Sequence, residues 1–446
     1  MGSHGAGQAA RAQRAPRRGA APDRRVSRAR AGRCIGAQTR PATRRRDGRL
    51  VVNIGLIGPA PPLRGGIAAH TAGLERALVG LGHRVAVLSY ARVYPRLLYP
   101  GARVREPGLL AATELIDSLD PASWTRMRRW LEAGGFDRVV VEWWHPIVAP
   151  ALLAGLPAAS SVCVVVHNVV PHEWFPGSRA LLRAVLARAQ AVVCHSEHVA
   201  GELAAIRPRV PARVVPMPPL LDVALVLSRD RGAARERLGL PAGARVVAFA
   251  GHVRRYKGVD VLLEAWRRVR EKRRDVHLVV AGEDYRPGSL RRRAAGQCDA
   301  LHVVPRYLSD DELADVVACA DCMVFPYLRA SQSGLLPVAR ESGTRVVVSD
   351  VGGIGEQVRG YPRAAVVRAG DARRLADAII RTLASAEEDR SVATRRASQR
   401  QHADWNRLAR ICAGGEGVES PDVEQFMGRK TTPEHGLTPT TSCVVE

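Results

Sequence analysis

At 446 residues the chain exceeds one typical domain, and its hydrophobic share of 46% is enough for two cored units rather than a disordered or fibrous chain. The formal net charge of +24 is unevenly spread, because residues 1–50 hold fourteen arginines against Asp23 and Asp47. Only Lys257, Lys272 and Lys430 are lysines, and no aromatic residues interleave with the basic ones, so no nucleic-acid partner is expected. Eight cysteines are thinly spread, and Cys319-Ala-Asp-Cys322 has no second pair at zinc spacing, so reduced thiols and no metal are expected. No apolar run approaches the ~20 residues of a membrane span, and the N-terminus lacks an apolar leader core, which makes a cytoplasmic chain the expectation.

Residues 1–48 lack hydrophobic periodicity and read as a disordered basic extension. Leu50-Val-Val-Asn-Ile-Gly-Leu-Ile57 is a predicted buried strand that runs into Pro59-Ala-Pro-Pro62. From Ile67 onward, Ile67, Thr71, Leu74, Leu78 and Leu81 recur at three- and four-residue steps, the period of a helix, and 84–89 is the next strand. Strands at 139–144 and 162–167, a helix over 179–188, and strands at 191–194 and 213–216 complete a first half. A linker with a short helix at 233–240 leads to a second half with strands at 246–250, 277–281, 301–304, 321–325, 345–349 and 364–367. Predicted helices at 310–319 and 335–342 separate its later strands, and one at 372–386 follows the last.

This alternation is α/β with parallel sheets. The expected division is a Rossmann-like unit over 49–222, a second over 223–395, a closing helical segment over 396–412 and a disordered tail over 413–446. In such sheets ligands sit beyond the carboxyl ends of the strands. Gly251-His-Val-Arg-Arg-Tyr-Lys-Gly258 lies at such a position, between an apolar run and an amphipathic one. A glycine turn there lets backbone N–H groups approach a phosphate, while Arg and Lys bring the countercharge.

Taken in order, Arg64-Gly-Gly-Ile67, Val166-His-Asn168, Gly251…Lys257-Gly258 and Asp350-Val-Gly-Gly353 resemble the family-4 (group 1) glycosyltransferases, retaining enzymes of GT-B architecture, over residues 50–410. The runs His167-Asn-Val-Val-Pro-His172, Glu142-Trp-Trp-His-Pro146 and Ser331-Gln-Ser-Gly334 are similar to a bacterial subgroup that assembles polysaccharides and glycolipids. The resemblance implies two Rossmann-like domains across a cleft, with acceptor bound by the first and donor by the second. The donor it implies is a nucleotide-diphosphate sugar, with a saccharide or lipid-linked hydroxyl as acceptor. The resemblance further implies that no cofactor is required, with Arg and Lys holding the diphosphate.

The catalytic candidates are Lys257 and Arg254 as diphosphate clamps and His167 as a contact to the transferred sugar. A solvated Lys257 is the bland alternative, although a helix start disfavours a cation. The clamp beside Lys257 stays open between Arg254, Arg255 and His252. Gly65, Gly66, Gly251, His252, Ser333 and Gly334 are the donor-binding candidates, and His70, His145, His172 and Glu173 the acceptor-side ones. Trp143 and Trp144 suit either a sugar face or the core. The resemblance also implies two glutamates eight positions apart, but Ala330 and Val338 stand there. Two rival readings stay open: a GT-B sugar-nucleotide epimerase, which the same fold supports, and a catalytically silent sugar-nucleotide-binding scaffold, which the missing glutamates suggest. Arg179, Arg183 and Arg188 on one helix leave contact with an anionic membrane as a further expectation beside an ordinary solvated face.

Overall fold

The computed structural model describes residues 45–46, 49–94, 110–158, 161–171, 175–206, 208–284, 288–295, 300–384 and 394–415, apart from the side chains of 45, 46, 49 and 394–398. Most of the expected extension 1–48 and of the expected tail 413–446 lies outside the described residues. Secondary structure begins earlier than expected: β1 (Arg45–Arg46) and β2 (Arg49–Leu50) pair as a short antiparallel ribbon.

Among the described residues, seven parallel strands form the first large sheet: β3 (Asn53–Ile57), β4 (Arg84–Arg92), β5 (Ala112–Asp117), β6 (Arg138–Trp143), β7 (Val162–Val166), β8 (Ala189–Cys194) and β9 (Ala212–Val214). Six more form the second: β10 (Arg245–Ala250), β11 (Val276–Ala281), β12 (Leu301–Val304), β13 (Cys322–Phe325), β14 (Arg345–Ser349) and β15 (Ala364–Val367). The orders are β5-β4-β3-β6-β7-β8-β9 and β12-β11-β10-β13-β14-β15. Each sheet thus grows outward in both directions from its first strand, as in doubly wound folds, and reverses between β3 and β6 and between β10 and β13. Branched apolar residues suit strands covered on both faces, and every position of β7 is buried.

Four elements of the first half escape the sequence reading: β5 and the helices Pro121–Gly134, Ala149–Gly155 and Glu197–Ala205. Among the described residues β5 pairs on one side only, with β4, and its Glu114 is exposed, so it lacks the apolar run that marks the inner strands. The helix Pro121–Gly134 carries ordinary stop and start signals: Asp120 accepts from the Ala122 N–H, Pro121 opens the first turn, and Gly135 ends it at φ 54°. The linker holds two short helices rather than one, Val223–Leu227 and Arg231–Arg237, capped by Asp222 and Asp230.

The helix Thr394–Cys412 returns the chain to the first half, where Trp405, Leu408, Ala409 and Cys412 join its buried cluster. The Trp405 ring fills the space over Gly73, where an added Cβ would stand 2.4 Å from it. The Trp405 indole donates to the Pro219 carbonyl, and the Gln401 amide donates to the Pro219 and Leu221 carbonyls, so the helix also holds the crossover between halves.

Burial, followed by the neighbouring Glu341, raises the Asp404 carboxyl on this helix to about 6 against the pull of Arg340, Arg407 and Arg400. Between the ordinary value and about 6 the folded state binds a proton that the unfolded state has released. Stability therefore falls as pH rises through that window, and the loss persists above it. Asp404→Asn should raise stability by up to about 2 kcal/mol at pH 7.5 and leave it unchanged at pH 4. Urea unfolding at the two pH values reads this, and an equal gain at both would contradict it.

Candidate active site

The cavity of about 590 Å³ opens where both sheets reverse, and each half contributes the loops beyond its central strands. On the second half, β10 ends at Ala250 and the backbone turns at Gly251, φ 130°. Gly282, φ 142°, packs against it so closely that a Cβ would lie 2.0 Å from the Gly251 carbonyl oxygen. The Val253 N–H then donates to Glu283 O at 2.8 Å, which pins the loop beside the end of β11. A 3-10 turn over Arg255–Lys257 follows, and Gly258 at φ 70° opens the helix Val259–Lys272.

This turn places His252, Arg254 and Lys257 on the cavity lining and leaves Arg255 exposed and off it. Of the three clamp candidates beside Lys257, only Arg254 and His252 therefore face the cavity. The Lys257 ammonium lies 3.8 Å from the centre of the Tyr327 ring, a cation–π contact. Burial works to lower its pKa, but Tyr327 and Tyr256 outweigh that and hold it above the ordinary lysine value, so it stays charged. His252 is pushed down to about 4 by burial and by Arg254 and Lys257, and is neutral at pH 7.

The loop beyond β13 brings Ser331, Gln332, Ser333 and Gly334 to the same cavity. Gln357 clamps it, accepting from the Ser333 N–H at 2.8 Å and donating to the Ser333 carbonyl at 2.9 Å. The Ser333 hydroxyl stays on the Tyr327 hydroxyl at 3.2 Å. Ala330 and Val338, where two glutamates would stand, are apolar, buried and off the lining.

On the first half, Gly65 at φ 115° precedes the helix Gly66–Gly80, and both Gly65 and Gly66 line the cavity. His70, one turn into that helix, and His167, just past β7, meet on the buried Glu142 of β6. His70 Nδ1 is 2.9 Å from Glu142 Oε1, and His167 Nε2 is 2.5 Å from Oε2. Burial works to raise the Glu142 pKa, but the two histidines outweigh it and hold the carboxyl below the usual carboxylate range. Burial lowers His167, and pushes His195 well down, so both are neutral. His195 joins them edge to face with His70, its Nδ1 on the Val215 carbonyl at 2.9 Å. The three histidines can each bring a ligand atom within 4.8 Å of the others, a donor set that a borderline-soft cation could use.

Beyond them stands an aromatic wall. The Trp144 indole donates to the Tyr94 hydroxyl at 3.1 Å, and the His145 ring packs edge-on between Tyr94 and Phe175. Of the tryptophan pair, Trp143 is core and Trp144 faces the cavity. The lining thus gathers Gly65, Gly66, His70, His145, His167, Gly251, His252, Arg254, Lys257, Ser333 and Gly334 at one place. His172 and Glu173 lie outside the described residues. Glu142, His195, Tyr327 and Gln357 were not among the candidates. Glu142 had a signal, an acid inside the apolar run Val139-Val-Val-Glu-Trp-Trp144, and His195 directly follows a strand as His167 does.

The family model for "Glycosyltransferase Family 4" matches residues 64–225, and that for "Glycosyl transferases group 1" matches 244–385. A D-inositol 3-phosphate glycosyltransferase of Catenulispora acidiphila is 34% identical over 291 residues, 60% of this chain and 68% of that one. The chain belongs to glycosyltransferase family 4. A second D-inositol 3-phosphate glycosyltransferase, from Mycolicibacterium vanbaalenii, is 31% identical over 39% of this chain and 41% of its own length, so this match covers well under half of that relative. Among solved structures, the sucrose-phosphate synthase of Thermosynechococcus elongatus matches with TM-score 0.59 at 19% identity, over 84% of this chain and 98% of that one. Anabaena HepE, solved with UDP and glucose, matches with TM-score 0.63 at 16% identity, over 81% and 99%. Family membership and these folds agree on GT-B architecture with two parallel-sheet domains, and the chain is a glycosyltransferase. Among the described residues no helix is long and apolar enough to cross a membrane.

Proposed function

We propose that this glycosyltransferase moves a hexosyl group from a nucleoside-diphosphate sugar to a saccharide or lipid-linked hydroxyl, with retention of configuration. The observation that carries the reading is the charged Lys257 ammonium beside Arg254 on the cavity lining at the β10 switch point. Residues 223–395 take the donor and 49–222 the acceptor.

Lys257 and Arg254 neutralise the diphosphate as negative charge builds on the leaving oxygen. The Ser333 hydroxyl, the Gly334 and Gly251 backbone and neutral His252 line the donor side, and Gly65 and Gly66 approach from the other half. His167, fixed by Glu142, contacts the sugar as positive character develops at its anomeric carbon. The acceptor hydroxyl attacks on the face from which the diphosphate leaves, and its proton passes to the leaving phosphate oxygen. No side-chain nucleophile and no cofactor enters this scheme. His70 and His145 lie on the acceptor side, where His172 and Glu173 are also assigned. A cytoplasmic site with peripheral membrane contact through the exposed Arg179 and Arg183 of the helix Ser178–Leu186 completes the reading.

The UDP and glucose bound to HepE make UDP-hexoses the first donors to try, followed by GDP-hexoses. Incubating the full chain with each, plus an acceptor panel, should release the nucleoside diphosphate, and proton NMR of the product should show the donor's anomeric configuration. An inverted product contradicts the scheme. Nucleotide binding without turnover of any hexose favours the silent scaffold that the apolar Ala330 and Val338 suggest.

A further inference from the structure

We propose that the aromatic wall of the first half is an acceptor subsite for an uncharged glycosyl ring, and that it rejects phosphorylated acceptors. This rests on the function proposed above and specifies its acceptor.

The cavity is electrically divided. Its cations, Lys257 and Arg254, come from the second half. Among the described residues of the first half that line it, none is Arg or Lys. Arg64, next to that lining, carries its guanidinium 4.2 Å from the centre of the Tyr307 ring, toward the donor side. The floor of the first half instead has His70 and His167 on the lining, with the buried, anionic Glu142 behind them. A phosphate dianion there would meet the His167 lone pair with the carboxylate behind it, and no cation among the described first-half lining residues would offset its desolvation.

What the same floor offers is suited to hydroxyl groups. His167 gives Nε2–H to Glu142, which leaves Nδ1 as an acceptor, and that atom is buried without a partner. The Oδ1 of Asn168, the next residue and also on the lining, is likewise buried and unpartnered. Beside these acceptors Tyr94, Trp144 and Phe175 are each half-buried, so part of each ring remains open to the cavity. A pyranose matches both surfaces: its C–H face packs on aromatic carbon and a hydroxyl donates to Asn168 Oδ1, while His167 Nδ1 stays with the transferred sugar.

The curated relatives quoted above are inositol 3-phosphate glycosyltransferases by name, so the inference separates this chain's acceptor from theirs. The ring could belong to a free or a lipid-linked saccharide, which offer the wall the same chemistry.

Saturation-transfer NMR on the full chain with UDP present tests it. The probes are the methyl glycosides of glucose, galactose and mannose, the octyl glycoside of whichever binds, and inositol 3-phosphate beside uncharged inositol. At least one methyl glycoside should bind, and Phe175→Ala and Trp144→Ala should each weaken it about tenfold or more. UDP affinity, measured by calorimetry on the same samples, should stay within about twofold and shows that both variants fold. Inositol 3-phosphate should bind no better than inositol. Octyl binding tighter than methyl assigns the ring to a lipid-linked saccharide, and equal binding to a free one; either supports the subsite. The proposal is overturned if no glycoside binds while UDP does, if inositol 3-phosphate outbinds every neutral probe, or if both variants leave glycoside affinity unchanged. Loss of UDP binding by the wild type would instead strike at the proposed function.

Discussion

Lys257→Ala should lower turnover of the accepted nucleotide sugar about 100- to 1,000-fold while the protein stays folded. The ammonium is the one lysine on the cavity lining among the described residues, and the Tyr327 ring 3.8 Å away keeps it in place and charged. Its attraction grows as the diphosphate gains charge in leaving, so the loss should fall mainly on kcat rather than KM. Lys257→Arg should recover only part of the rate, because a longer, planar guanidinium spreads its charge over a fork instead of presenting a compact ammonium to the leaving oxygen. Initial rates with donor near saturation measure this. A Lys257→Ala enzyme within about threefold of wild type would remove Lys257 from the chemistry.

Gly258→Ala should cost about 3 kcal/mol or more and weaken nucleotide binding with it. Gly258 sits at φ 70°, a conformation that a side chain resists, and the added Cβ would lie 1.8 Å from the Pro326 carbonyl oxygen. Backbone must therefore move, and the two backbones involved carry Lys257 and its partner Tyr327. Gly243 is the matched control: it is exposed, has no atom within 4 Å of its Cβ position, and its alanine variant should stay within about 0.5 kcal/mol. Thermal unfolding of the two variants reads the difference, and equal melting temperatures would contradict the close approach at Pro326.

The parallel strands were legible because branched apolar runs such as Val162-Cys-Val-Val-Val166 admit little else, and their ends agree within a few residues. β5 was not, since an edge strand with one partner carries a mixed pattern. The Gly251–Gly258 loop was readable from sequence because its glycines, Arg254 and Lys257 lie within one turn between strand and helix. The choice of Arg254 and His252 over Arg255 was not, since it depends on which way each side chain leaves the 3-10 turn.

The Glu142 network was hidden for a different reason. Its two hydrogen bonds join residues 72 and 25 positions apart, and only the sheet order β3-β6-β7 makes them neighbours. The aromatic wall likewise draws on residues beyond β4, β6 and β7. In each case the residue types were visible, while their convergence is a property of the doubly wound topology.

Calorimetric titration of UDP and then GDP into the full chain, wild type against Lys257→Ala, tests the diphosphate cleft most directly. One nucleotide should bind with a single site, and the variant should lose about tenfold or more of that affinity at unchanged melting temperature. Folded wild-type protein that binds neither nucleotide, or a variant that binds as well as wild type, would contradict it.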